Sequence, residues 1–183
     1  MSATDPYVLP EGLPVPTDDG AADHLTGAEL PDLVLPSSLG GVNVRDFGVL
    51  YVYPRTGRPG RPLLPGWDDI PGARGCTPQS CGFRDHAAEL AAFGARVAGL
   101  SAQSLADQVE FAERNRMPFP VVSDERLELA RALGLPTFEV EGLTLYKRLA
   151  LVAERGRIVK VFYPVFPPDR NARDVLDWLA ARR

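Results

Sequence analysis

The sequence predicts an α/β protein, a central mixed β-sheet flanked by helices and preceded by an extended N-terminal arm. Three observations lead there. Apolar runs of strand length, Gly48-Val49-Leu50-Tyr51-Val52-Tyr53-Pro54 foremost, alternate with segments whose apolar residues recur at helical spacing. Two late runs, 145–152 and 157–162, are joined by Glu154-Arg155-Gly156 and read as an antiparallel hairpin. A length of 183 residues with 45% hydrophobic content fits one domain that can bury an ordinary core without a disulfide.

Taken in order, residues 1–30 are rich in Pro, Asp and Gly and show no period, which suggests an extended or partly mobile arm ahead of a domain spanning 31–183. His24 in that arm reads as a surface residue. Leu33-Val34-Leu35-Pro36 and Gly40-Gly41-Val42-Asn43-Val44 read as short strands around a turn. Residues 48–54, β-branched and aromatic, suit a buried central strand ended by Pro54. The stretch 55–75, punctuated by Pro59, Pro62, Pro65 and Pro71, is longer than the ~12–15 residues usual for a structureless connection. Trp67 within it is either a lid over the site that follows or an anchor pinning the loop to the body.

A helix begins near residue 76. Thr77 suits an N-cap, Pro78 a first turn, and Phe83, Ala87, Leu90 and Ala91 form an apolar face running to about Phe93. Residues 96–100 read as a strand, and Ser104 caps a helix bearing Leu105, Val109 and Ala112. Residues 119–124 form a short strand before a helix with Leu127, Ala130 and Leu133, ended by Gly134 or the Pro136 region. After the hairpin, Val175, Leu176 and Leu179, with Trp178 beside them, mark an amphipathic helix from Asp169 onward.

A net charge of −4 with interspersed signs gives no footprint for nucleic acid or anionic membrane. No apolar run approaches the ~20 residues of a membrane span. Met1-Ser2-Ala3-Thr4-Asp5-Pro6 lacks the regions of a signal peptide, so a cytoplasmic location is expected. In a reducing compartment a lone cysteine pair is catalytic or redox-sensing more often than structural. No cofactor is implied. A metal site is not expected either, because two cysteines without clustered histidines fall short of a zinc set.

The chemistry concentrates in Gly75-Cys76-Thr77-Pro78-Gln79-Ser80-Cys81-Gly82-Phe83-Arg84-Asp85, which holds both cysteines, five positions apart. Cys76 falls at a helix N-terminus, where unpaired N–H groups and the macrodipole favour negative charge, while Cys81 lies inside the first turns. On an ideal helix such a spacing separates the Cα atoms by roughly 8–9 Å. A disulfide tolerates at most about 7 Å, so bonding requires the first turn to unwind. The pair suits chemistry that opens and closes. His86 is ten residues past Cys76 and reads as a satisfied surface histidine.

At these residues the chain resembles the peroxiredoxins, and among them the peroxiredoxin Q (bacterioferritin comigratory protein) type, from about Leu30 onward. The resemblance rests on Tyr51-Val52-Tyr53-Pro54, the cysteine stretch, and Val97-Ala98-Gly99-Leu100-Ser101. Phe119-Pro120-Val121-Val122-Ser123-Asp124 and Lys147-Arg148-Leu149-Ala150-Leu151-Val152 complete it, in that order. It implies a thioredoxin-like fold and thiol-dependent reduction of peroxides, recycled by thioredoxin or a glutaredoxin-like dithiol, in a monomer or weak homodimer. Carried over, Cys76 matches the peroxidatic cysteine, Cys81 the resolving one, Arg148 the arginine that stabilises thiolate and peroxide, and Pro54 the shielding proline.

Two positions depart from the family pattern. The Thr or Ser usual three residues before the peroxidatic cysteine is Ala73, and the proline usual seven before it is Asp69. An insertion between Pro54 and Gly75 accounts for both, with Thr56 or Thr77 as the candidate hydroxyl. The rival readings are a thiol–disulfide oxidoreductase, which normally carries Cys-x-x-Cys, and a redox-sensing switch or binding module on the same fold.

Overall fold

The computed structural model describes residues 5–183, so residues 1–4 of the expected arm lie outside the described residues. The strands are β1 (Val34–Ser37), β2 (Gly40–Asn43), β3 (Val49–Val52), β4 (Val97–Ser101), β5 (Val121–Ser123), β6 (Thr137–Val140), β7 (Leu143–Tyr146), β8 (Leu149–Glu154) and β9 (Arg157–Phe162). The helices are α1 (Cys76–Asp85), α2 (Ala87–Ala92), α3 (Leu105–Arg114), α4 (Glu128–Leu133) and α5 (Asn171–Ala181). Seven strands form one sheet in the order β2-β1-β5-β4-β3-β8-β9, and β6 and β7 pair separately. β3, β4 and β5 run parallel, whereas β8 is antiparallel to both β3 and β9, which makes the sheet mixed. This is the expected thioredoxin-like α/β architecture.

Strand periodicity explains how the core divides. Successive side chains of a strand point to opposite faces. Leu50 and Val52 therefore join Leu100, Leu129, Leu149 and Leu151 on one face, together with Leu25 and Leu30 from the N-terminal segment. Val49, Tyr51 and Tyr53 join Phe83, Leu90, Phe111, Val175 and Leu176 on the other. β3 is buried along its whole length, in keeping with its apolar, β-branched sequence. Among the described residues no helix is long and apolar enough to cross a membrane.

Several expected boundaries hold: Ser104 Oγ accepts from the Asp107 amide to cap α3, and Gly134 ends α4 in the left-handed conformation. Others shift. The helix expected to reach Phe93 breaks at His86 into α1 and α2. The run 145–152 is two strands, β7 and β8, because the chain leaves one sheet at Lys147-Arg148 and enters the other. The β6–β7 hairpin was not anticipated. Its turn, Glu141-Gly142, has φ of 49° and 74°, the same positive pair that Arg155 (51°) and Gly156 (77°) supply between β8 and β9. Glu-Gly lacks the Asn or Asp that advertises such a turn. Trp67 is an anchor: it packs with Ala73, Leu145 and Phe138 and pins the 55–75 loop.

Tyr51 lies under α1, its ring stacked on Phe83 with centroids 4.3 Å apart. Gly99 in β4 makes room for it, since a Cβ there would sit 2.5 Å from Tyr51 Cζ. Gly99→Ala is expected to lower the unfolding free energy by about 1–3 kcal/mol through overpacking. Urea denaturation checks this, and an unchanged midpoint would mean that the ring has space to retreat.

Candidate active site

The site forms where the 55–75 loop runs into α1. Gly75 adopts φ 108° and serves as the residue ahead of the helix, with no side-chain cap. Thr77 is therefore not the N-cap that its residue type suggests. Cys76 is the first helical residue and Thr77 the second, with Pro78 still inside the first turn, where its missing N–H costs nothing. A side chain at position 75 has no room either, because a Cβ would lie 2.3 Å from Pro168 Cγ and 2.9 Å from Leu9 Cδ2.

Cys76 is only 3% exposed. Arg148, equally buried, reaches it from the β7–β8 junction, with Nη2 donating to Sγ at 3.3 Å. The rest of the guanidinium is spent on the loop and the helix. Nε donates to Gly72 O (3.3 Å), Nη2 to Ala73 O (3.0 Å) and Arg74 O (3.2 Å), and Nη1 to Gln79 Oε1 (2.5 Å). Gln79 in turn donates from Nε2 to Asn171 Oδ1 at 2.9 Å, which ties the clamp to α5. Among the described residues no carboxylate lies within ion-pairing distance of Arg148. A buried cation with no counter-ion is costly. Among the described residues, the one group hydrogen-bonded to it that can carry negative charge is the Cys76 sulfur.

Cys81 is half-buried one and a half turns on, and both thiols are free. Its Sγ points to Asn115 Oδ1 at 3.9 Å. Burial, the largest cause, pushes the Cys81 thiol above its ordinary value against the opposing pull of Arg84 and Arg114. In this closed form Cys81 is a protonated, weakly nucleophilic thiol. Tyr51 Oη, Thr77 Oγ1 and Ser80 Oγ are buried around the helix without hydrogen-bond partners. Burial also raises the Tyr51 phenol, so it stays protonated.

The other candidates fall at different distances from this centre. Pro54 is buried two residues past the end of β3. Thr56 is committed to Gln103, its Oγ1 donating to Oε1 at 3.2 Å while its backbone amide donates to the same oxygen. The Thr77 hydroxyl has no such commitment. Ala73 packs in the Trp67 cluster, so the position three before Cys76 faces apolar side chains. His86 is held by Glu89 at 2.7 Å, and His24 contacts Leu133 O at 2.8 Å, both away from the sulfurs. Among the described residues no cluster of three or more His, Cys, Asp or Glu could hold a metal ion. Gln79 and Asn171 were not anticipated. Gln79 is three residues beyond Cys76 and so shares its helix face, which is the signal that singles it out.

A thiol at a helix tip, gripped by a buried arginine on a thioredoxin-like sheet, defines a thiol-based redox protein. Residues 26–176 match the Redoxin family. The chain belongs to that family, and within it to the peroxiredoxin Q and bacterioferritin comigratory protein type. Similar proteins include peroxiredoxin bcp1 of Schizosaccharomyces pombe, 30% identical over 69% of this chain and 64% of the relative. The chloroplastic peroxiredoxin Q of Sedum lineare is 32% identical over 61% of this chain and 58% of its own. The chain thus spans between half and just under two thirds of the curated relatives it matches. Peroxidoxin BcpB from Mycobacterium tuberculosis superposes with a TM-score of 0.67 at 28% identity, over 86% of this chain and 97% of that one. The Xanthomonas campestris bacterioferritin comigratory protein gives 0.66 at 26% identity, over 84% and 96%.

Arg148→Lys should loosen this centre, because one ammonium has three donors and cannot reach the loop carbonyls, the Gln79 amide and the sulfur together. A loss of about 1–3 kcal/mol is expected, read from chemical denaturation. Unaltered stability would show that the fork is not holding the loop.

Proposed function

We propose that this chain is a thiol-dependent peroxidase that reduces hydrogen peroxide and organic hydroperoxides. The observation that carries the reading is the buried Arg148 guanidinium, balanced by no carboxylate among the described residues and 3.3 Å from the sulfur at the tip of α1. In the first step the Cys76 thiolate attacks the distal oxygen of ROOH. The O–O bond breaks, the sulfur becomes a sulfenic acid, and the departing alkoxide takes a proton to leave as ROH. Charge moves from sulfur to oxygen, and the donors of Arg148 with the first amides of α1 stabilise it throughout. Thr77 offers the free hydroxyl for the peroxide, Thr56 the alternative, and Pro54 shields the pocket.

In the second step the Cys81 sulfur attacks the Cys76 sulfenic acid, a disulfide forms and water leaves. Because both cysteines lie in one helix, this step needs α1 to open. An external dithiol of the thioredoxin or glutaredoxin type then restores both thiols by exchange. An intramolecular disulfide needs no second subunit, which suits a cytoplasmic monomer or weak dimer. The family membership supports the reading, as does the Xanthomonas campestris relative, whose structure is described in terms of alkyl peroxide reduction.

Cys76→Ser is expected to abolish peroxide consumption, and full turnover in that variant would reject the assignment. In a mass spectrum after one equivalent of peroxide, the native chain should lose two hydrogens. Cys81→Ser should instead gain oxygen, passing from sulfenic to sulfinic acid as peroxide increases.

The second step should also depend on pH. Folding of α1 raises the Cys81 thiol, so the closed helix is favoured below the thiol's ordinary value and loses that advantage as pH climbs past it. Once α1 opens, Cys81 titrates at its ordinary value, so its thiolate fraction and with it the rate of disulfide closure should rise from neutral pH toward 9.0. The lost helix advantage should add to this above 9.0, as measured by rapid acid quench and mass analysis. A flat profile would mean that some other group attacks the sulfenic acid.

A further inference from the structure

The N-terminal arm crosses the outside of the segment that has to unwind, and it is fastened at both ends of that segment. At the Cys76 end, the buried Arg74 side chain donates from Nη2 to Asp5 O (3.2 Å) and Val8 O (3.3 Å) while Asp68 holds its Nη1. Leu9 packs against Gly75, the residue that starts α1. At the Cys81 end, Tyr7 Oη donates to Asn115 Oδ1 at 2.8 Å, the same oxygen toward which Cys81 Sγ points. Arg114 Nη1 donates to Tyr7 Oη at 3.0 Å, and Pro6 between these fastenings is buried beside Gly57. None of these contacts serves the packing of the sheet. The fastenings at the two ends tie the arm to Arg74, Gly75 and Asn115, and disulfide formation must move the first two and take Cys81 away from the third.

From this geometry we infer that residues 5–9 form a strap linked to the redox state of the cysteine pair, docked when both thiols are reduced and released by the disulfide. The inference rests on the reading that Cys76 pairs with Cys81. A strap that grips only the closed helix opposes its opening, and linkage makes the effect mutual: opening the helix weakens the strap by the same factor. A docked strap prolongs the life of the Cys76 sulfenic acid. A second peroxide can then oxidise it to the sulfinic acid, releasing ROH, before Cys81 arrives. Tyr7 is thus a positioning residue for the second step, with no part in the first.

The test uses the full chain and diamide, an azo oxidant that takes up the two thiol hydrogens and leaves a disulfide without any peroxide chemistry. Chymotryptic cleavage after Tyr7 should be at least fivefold faster in the diamide-oxidised protein than in the reduced one. Equal rates would overturn the proposal, as would failure of diamide to form the internal disulfide. Tyr7→Phe keeps the ring and removes the hydroxyl. Disulfide formation in it should be faster by roughly three- to tenfold, the range expected for one lost hydrogen bond. The peroxide concentration giving half-conversion to sulfinic acid should rise in step, with the rate of the first oxidation unchanged. An unaltered rate and dose in Tyr7→Phe would also reject the strap. Should the diamide results hold while peroxide leaves the thiols untouched, the strap stands and the peroxidase reading falls.

Discussion

Arg148 is a cation taken out of water and surrounded by five acceptors, the carbonyls of Gly72, Ala73 and Arg74, the Gln79 amide oxygen and the Cys76 sulfur. Desolvating a guanidinium costs several kcal/mol, and neutral acceptors offset only part of that. The arrangement is therefore completed by the sulfur. The same fork fixes the loop before α1 and one face of α1 itself, so the position of the Cys76 sulfur and the position of the donor that contacts it are set by one side chain. Everything else in the site answers to this constraint. The β7–β8 junction breaks the strand where Arg148 must turn inward, and the Gln79–Asn171 bond braces the clamp against α5.

The long loop before the helix is best understood in the same terms. Trp67 and Ala73 bury against Leu145 and Phe138, and thereby deliver the carbonyls of Gly72 and Ala73 to the guanidinium in fixed positions. An apolar residue at position 73 suits that packing, whereas a threonine there would bring its hydroxyl against Trp67. The loop thus presents an anchored carbonyl cradle to the guanidinium, while the Thr77 hydroxyl at the helix tip stays uncommitted.

Much of this was legible in the residues. The β3 run, the Ser104 cap, the Gly134 stop and the β8–β9 turn are local signals, and local sequence decides them. The cysteine pair announced its place on a helix through spacing and flanking Pro78. What local sequence did not reveal depends on partners remote in the chain. Arg148 lies in an apolar run whose alternation hides the break between two sheets, and only the distant loop carbonyls explain it. Thr77 has the residue type of an N-cap, yet Gly75 takes that place because Pro168 and Leu9 close around it, at distances no pattern could show. The Tyr7–Asn115 contact joins residues 108 positions apart and is equally silent in the sequence.

In the proposed cycle α1 must satisfy two opposed demands, holding Cys76 rigidly while it reacts and yielding soon afterwards. The composition of α1 favours yielding. It begins without a side-chain cap, carries Gly82 in its interior at a cost of about 1 kcal/mol relative to alanine, and buries the Thr77 and Ser80 hydroxyls unpartnered. A Cβ at that position would meet Asp169 O at 3.4 Å, an ordinary contact, so space alone does not require the glycine. A ten-residue helix of this kind has little stability of its own. Its closed form is held instead by contacts that end at particular side chains: Arg148 from the sheet, Asn171 from α5 and, across the outer face, the arm through Arg74 and Asn115. Rigidity supplied from outside can be withdrawn piece by piece. That is why the opening of a few turns, and not the unfolding of the domain, is the motion this architecture allows.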